Sequence, residues 1–239
     1  CEALQKDLPV RLLDENKVIP EINLNAIEDF IERKGEKRSR AGWYFQQFLK
    51  MAACNLSDIS DHYLLWDADT VMLKPVSFLS DQNQALIKPS SECHQPYFDT
   101  YFKLLGKTRS VNFSFISEHL FVRTLYMKEL LDAITARGRS GLHWVWNIMS
   151  SIEKPHLSRS GFSEYETYGN FISDRHPGAF ALFRRGAALF GLHPSKHDLY
   201  RLSLSYAYAS FESWDIGNRF RIAAEKILSA IVYYASWHR

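Results

Sequence analysis

Two carboxylates stand one residue apart in Asp67-Ala68-Asp69, directly after the apolar run Tyr63-Leu64-Leu65-Trp66. A buried strand that ends on such a pair concentrates negative charge at a sheet edge. That charge needs a cation, either a divalent metal or a substrate carrying one. Oxygen-only ligands favour Mg²⁺ or Mn²⁺ over zinc. A metal held by one or two carboxylates completes its shell with water and substrate phosphates. The pattern points to a metal-assisted enzyme acting on a phosphorylated or nucleotide-activated substrate.

Asp-x-Asp alone is a weak motif, and three readings compete for it. The plainest is a turn in which Asp67 or Asp69 caps local backbone N–H groups. The string Leu64 to Val71 also fits the signature of haloacid-dehalogenase-like phosphatases, with Asp67 as nucleophile and Asp69 as acid/base. That mechanism expects a second acidic pair downstream and the motif on the first strand; this chain has no such pair, and its motif follows two helices. The remaining reading is a nucleotide-sugar glycosyltransferase. One carboxylate holds the metal that bridges the diphosphate, and the other orients the ribose or shares the ion. The metal neutralises charge growing on the leaving nucleoside diphosphate.

The elements that must position this pair alternate short apolar runs with helical periodicity, which reads as an α/β fold. Leu24 to Lys34 predicts an amphipathic helix stopped by Gly35, and Trp43 to Cys54 a second, strongly apolar one. Val10 to Leu13, Tyr63 to Trp66, Ala85 to Ile87 and Leu120 to Val122 read as strands. Helices are expected over Pro96 to Leu105, from a Thr124 cap to Arg137, and over Trp144 to Ile152. Ser163 caps a further helix reaching Ile172, and the spacing to Glu166 is that of a capping box. Ala179 to Phe183 and Ala187 to Leu192 suggest a hairpin around Arg184-Arg185-Gly186. Two helices, Leu199 to Phe211 and Ile216 to Tyr234, are expected to close the chain.

The bulk numbers bound the class. At 239 residues and 46% apolar, the chain can build one domain with a real core. The aromatic share of 14% leaves rings over for a cleft. A net charge of +2 is too small to argue for nucleic acid as a partner. The three cysteines, Cys1, Cys54 and Cys93, form no metal pattern and cannot all pair, which suits a reducing cytoplasm. No apolar run approaches the roughly 20 residues of a membrane span. The opening shows no initiator Met and no signal-peptide pattern. The expectation is that a first βα unit precedes Cys1.

Five segments taken together resemble a bacterial family of GT-A-type glycosyltransferases associated with surface-polysaccharide synthesis. They are Arg40 to Lys50, Tyr63 to Pro75, Ser114 to His119, Phe162 to Asn170 and Ala209 to Trp214. The resemblance covers nearly the whole chain from Val10. It implies a single domain over residues 1–239, with a GT-A-like, Rossmann-type mixed sheet flanked by helices and lacking its first βα unit. It further implies a nucleotide-sugar donor of the UDP-sugar class, Mn²⁺ or Mg²⁺ at Asp67 and Asp69, and a glycan or lipid-linked glycan acceptor. A catalytically silent sugar-binding or scaffold protein of the same fold is the rival from another class.

The remaining candidates follow. Arg38, Arg40 and Lys50 are diphosphate partners, since Arg suits bidentate phosphate contacts and a loop entering a helix adds free N–H groups; a solvated charge run is the alternative for Arg38. One of Gln46 and Gln47 faces the site, while Trp43, Phe48 and Met51 fill the core. Glu164 is the general base that takes the acceptor hydroxyl's proton if the enzyme inverts. Glu166 competes for that role and otherwise binds substrate or serves the cap; Tyr165, Tyr168 and Asn170 line the acceptor sugar, or, at their helical spacing, one or two of them belong to the core. His119 contacts a sugar or sits as a structural imidazole. By the resemblance, His193 completes the metal shell, with His176 and His197 as competitors, and Lys196 meets a phosphate. The amphipathic helix at 216–239 packs on the domain or rests on the cytoplasmic face of the inner membrane.

Overall fold

Asn23 starts the first long helix by accepting the Ala26 N–H on its side-chain oxygen at 3.0 Å. Helix α1, Leu24–Arg33, buries Ile27 and Ile31 and leaves its charged face to solvent. Gly35 then turns the chain at φ +74, a conformation in which a side chain would strain the backbone. The computed structural model describes residues 10–139, 141–183 and 194–211, together with the backbone of 187–189. It shows a mixed α/β protein.

The chain divides into two compact units. One comprises Cys1–Leu65 and Leu79–Leu182, the other Trp66–Phe78 and Phe183–Arg239. The larger unit holds a continuous apolar core. Helix α2, Ala41–Ala52, supplies Tyr44, Phe45, Phe48 and Met51 to it, all buried. Strand β1, His62–Trp66, alternates buried and half-buried residues and pairs with β4, His119–Arg123. Strand β3, Ala85–Ile87, pairs in parallel with β5, Phe180–Leu182. Around these strands lie α3 (Gln95–Leu105), α4 (Thr124–Arg137), α5 (Trp144–Ser151), the single turn α6 (Lys154–Leu157) and α7 (Glu164–Arg175). Gly169 brings α7 against Phe115: a Cβ there would lie 2.1 Å from Phe115 Cγ.

In the smaller unit β2, Thr70–Met72, runs antiparallel to β7, Tyr208–Ser210, with Thr70 opposite Ser210. Strand β6, Ala187–Leu189, joins the other side of β7 in parallel. Helix α8, Lys196–Ser205, precedes β7, and Ser195 and Asp198 cap it reciprocally.

Several expectations need correction. Val10 to Leu13 forms no strand; these residues are exposed and lead to a short 3₁₀ turn at Glu15–Lys17. Thr124 is the first residue of α4 rather than its cap, and its hydroxyl donates to Ser60 O at 2.5 Å. The hairpin does not exist, because β5 pairs with β3 and β6 with β7. The helix expected to run to Phe211 ends at Ser205, since 208–210 are taken into the sheet. The helix at 216–239 lies outside the described residues. No described helix is long and apolar enough to cross a membrane.

Candidate functional site

The acidic pair follows β1 in a turn that backbone bonds hold in place. Asp67 O accepts the Thr70 N–H at 3.0 Å, and Asp69 O accepts the Phe211 N–H at 2.9 Å. The Trp66 indole N–H donates to Thr70 O at 2.8 Å. Phe78 and Tyr208 meet the Trp66 ring edge-to-face, with centroids 5.9 and 5.4 Å away. The apolar residue before the motif is therefore its brace. Asp67 is half-buried and Asp69 exposed. Among the described residues the Asp69 carboxylate accepts only from the hydroxyls of Thr70 and Ser210, each at 3.5 Å, and caps no backbone N–H, which counts against the plainest reading of the motif for Asp69.

Exposed carboxylate oxygen beside a half-buried carboxylate suits a hard cation that keeps water and substrate in its shell. Among the described residues no three His, Cys, Asp or Glu side chains converge as a metal-holding group. His193, expected as a further ligand, lies outside the described residues. The protein atoms described can thus contribute the two carboxylates, with the remaining positions left to solvent and ligand.

In the larger unit a second polar group surrounds the start of α7. Lys50 Nζ lies 3.1 Å from Glu164 Oε1, and their side chains are 20% and 7% exposed. The same ammonium sits 4.8 Å above the centre of the Tyr165 ring. Gln47 Oε1 accepts the Glu164 N–H at 2.9 Å. Lys50 and Gln47 are one helical turn apart on α2 and reach the same residue. Gln47 is the glutamine that turns inward, and Gln46 is exposed. Gln47 Nε2 is buried and has no partner among the described residues.

A model of DUF6492, a family of unknown function, matches residues 1–231. The chain belongs to DUF6492. A comparison with curated proteins gave no match.

The other candidates of this DUF6492 chain are spread over both units. Arg38 is tied to Glu32 and lies 3.6 Å from Glu28, so its charge is already answered on α1. Arg40 donates to Ser160 Oγ at 3.3 Å and covers the Trp43 ring at 5.2 Å, leaving much of its guanidinium in solvent. His119 is 2% exposed, and burial pushes its imidazole down to about 4. Beside it, Lys88 Nζ meets both oxygens of Glu118 at 2.7 and 2.9 Å. His119 is thus a neutral interior residue, the structural alternative given by its position at a strand start.

Glu166 does not complete the expected capping box. Ser163 Oγ does accept the Glu166 N–H at 3.2 Å. The Glu166 carboxyl instead accepts from Ser114 Oγ and, at 3.2 Å, from Asn170 Nδ2. A buried partner in another segment outcompetes the helix's own N-terminus. Burial raises the Glu166 carboxyl above the ordinary range, and its hydrogen bonds only partly oppose this. Tyr168 is interior too, and its hydroxyl accepts the Arg123 N–H at 2.9 Å. Asn170 Oδ1 accepts the Ser110 N–H at 2.9 Å. Lys196 is exposed at the first residue of α8. His197 is exposed on the same turn, and His176 Nε2 lies 2.6 Å from Glu129 Oε2 in the larger unit.

Sequence reading missed the Lys50–Glu164 pair and the brace at Trp66. The first joins residues on different helices and carries no local signal. The second was visible as an aromatic residue directly before a polar turn.

Proposed function

We propose that this DUF6492 chain is a metal-dependent glycosyltransferase of GT-A-like architecture. It moves a sugar from a nucleotide-diphosphate donor, of the UDP-sugar class, to a hydroxyl of a glycan or lipid-linked glycan. The observation that carries the reading is the braced turn that presents Asp69 to solvent beside half-buried Asp67. When bound there, Mn²⁺ or Mg²⁺ would supply Lewis-acid stabilisation to the departing diphosphate. Asp67 and Asp69 hold it, with His193 as a further ligand.

Arg40 retains donors for a phosphate, and Lys196 is placed in solvent where it can meet one. Glu164 removes the acceptor proton if the reaction inverts configuration. Its carboxylate lies 3.1 Å from the Lys50 ammonium, so contact with an acceptor hydroxyl requires that ammonium to swing away or to engage a ligand. The site of action proposed is the cytoplasm, peripheral to the inner membrane, where nucleotide donors and lipid-linked acceptors meet.

The pairing of Glu164 also favours a second reading, a sugar-binding protein of the same fold without turnover. One assay separates them. Release of UDP from UDP-sugars by the full chain with Mn²⁺ is compared with that of Asp69→Ala. Turnover that falls by roughly 100-fold or more in the variant supports the transferase. Equal turnover in both proteins overturns the ion assignment. Donor binding with no turnover in either selects the silent reading.

A further inference from the structure

Strand β4 ends on Arg123, whose guanidinium is not used as such groups usually are. Among the described residues it makes one hydrogen bond, from Nη1 to Tyr126 Oη at 3.0 Å. It also lies over the Tyr126 ring, 4.9 Å from the centroid. It forms no ion pair among the described residues. Glu129, on the helix that follows, is engaged by His176 Nε2 at 2.6 Å. Arg123 is half-buried and lines a cavity of about 290 Å³ in the larger unit, with His62, Gln82, Asn83, Tyr126 and His176. A guanidinium fork with spare donors in a concave site is a receptor for a carboxylate or a phosphate.

The rest of the lining describes the ligand's other end. The side-chain amides of Gln82 and Asn83 make no protein hydrogen bonds among the described residues, and each offers both donors and an acceptor. Their loop is held in shape: Asn83 takes φ +60, its N–H donates to Ser80 O at 2.9 Å, and Gln84 Nε2 donates to Gly178 O at 2.8 Å. Burial, with the Arg123 charge second, keeps His62 below the usual imidazole range against the opposing charge of Asp61. It therefore serves near neutral pH as a hydrogen-bonding ring, and it stacks on Phe121 at 5.4 Å.

Among the described residues the rings that line the cavity already have partners. Tyr126 is already covered by Arg123 and stacked with His176 at 3.8 Å. The volume is at the small end for ligand pockets, which run from about 300 Å³ upward. These features select a compact ligand rich in hydroxyls and carrying one anionic group, rather than a nucleotide.

We propose that this cavity binds a small hydroxylated anion, a sugar phosphate or a sugar carboxylate, with its charge on Arg123 and its hydroxyls on Gln82, Asn83 and His62. The site is built within the larger unit alone, and the proposal stands whatever reaction Asp67 and Asp69 serve.

Isothermal titration calorimetry of the full chain tests it, with glucose 1-phosphate, glucuronate, glucose and inorganic phosphate as probes. Glucose 1-phosphate, glucuronate or both bind, and the stronger of the two names the anion. Glucose binds about tenfold more weakly or not at all. Arg123→Gln lowers affinity for the anionic sugar by about tenfold or more, and Arg123→Lys by less, since it keeps charge without the fork. Asn83→Gly suits the left-handed backbone and so preserves the loop; it weakens the anionic sugar severalfold and leaves inorganic phosphate unchanged. Asp69→Ala binds as the wild type does, which separates this site from the transferase reading. Absence of binding by both anionic sugars, equal affinity in folded Arg123→Gln, or glucose binding as tightly as its phosphate each overturns the proposal.

Discussion

Lys50 Nζ stands 3.1 Å from Glu164 Oε1 in a setting where neither charge is well hydrated. A poorly hydrated pair of opposite charges depends on mutual contact more than it stabilises the fold, because removing one charge leaves the desolvation of the other less compensated. Lys50→Met should destabilise the protein by about 3 kcal/mol. The double variant Lys50→Met/Glu164→Gln should recover much of that loss. Urea unfolding of the wild type, both single variants and the double variant gives the coupling. Independent, additive effects would show that the pair is not coupled in solution.

His119 gives the stability a pH dependence of known sign. Its folded value, about 4, is below the 6.5 of the unfolded chain. Burial is the main cause; Glu118 opposes the shift and Lys88 adds to it. The unfolded state therefore binds more protons between those values. The contribution is fully present above pH 6.5 and is lost as pH falls toward 4, at up to about 1.4 kcal/mol per pH unit. Thermal melts of wild type and His119→Gln across this window check it: the variant should show a shallower slope.

Glu166 acts in the opposite direction. Its folded carboxyl is raised above the ordinary 4.5 by burial. The stability it contributes is complete below 4.5 and is lost as pH rises through the folded value. Glu166→Gln keeps an acceptor for Asn170 and can donate to Ser114, so it should match or exceed the wild type at pH 7. Glu166→Ala should cost about 1–3 kcal/mol by leaving buried polar partners unmet. Denaturant midpoints for the two variants at pH 5 and pH 8 measure this directly.

Gly169→Ala tests a close approach in the larger unit. The added methyl would sit 2.1 Å from Phe115 Cγ, far inside van der Waals contact. A loss of about 1–3 kcal/mol is expected. Phe115→Leu in the same chain should relieve part of it. A wild-type melting temperature for Gly169→Ala would contradict the packing described.

Asp69→Ala should leave the fold almost untouched, since its hydroxyl contacts are long and its side chain is exposed. Its melting temperature in buffer should stay within about 2 °C of the wild type, an effect of less than about 0.5 kcal/mol. Under the proposed function Mn²⁺ with a UDP-sugar raises the wild-type melting temperature, and that increase should vanish in the variant. A variant that still responds to the donor and metal as the wild type does would place the ion elsewhere.

Elements defined by their own periodicity were legible in the sequence: the helix from Leu24, the apolar helix carrying Gln47 and Lys50, and the strands at Tyr63 and Ala85 follow the expected bounds closely. The errors cluster where a distant segment decides. Phe180 to Leu182 pairs with β3, nearly a hundred positions away in the chain, so no turn signal could reveal its partner. Tyr208 to Ser210 was read as helix because its apolar residues continue a helical spacing, yet it is the central strand of its sheet. Glu166 has the spacing of a cap but is captured by Ser114. The acidic pair was visible as a motif. The Arg123 cavity was not, because its walls come from segments far apart in the chain, at His62, at 82–85, at 123–126 and at 168–179.

The indole bond from Trp66 to Thr70 O has a kinetic corollary. A loop already stapled across its base does not have to be ordered when a guest arrives. Capture of the proposed ion at Asp67 and Asp69 should then be limited by its loss of water rather than by chain rearrangement, and loosening the staple with Trp66→Phe should slow arrival while leaving the acidic side chains themselves unaltered.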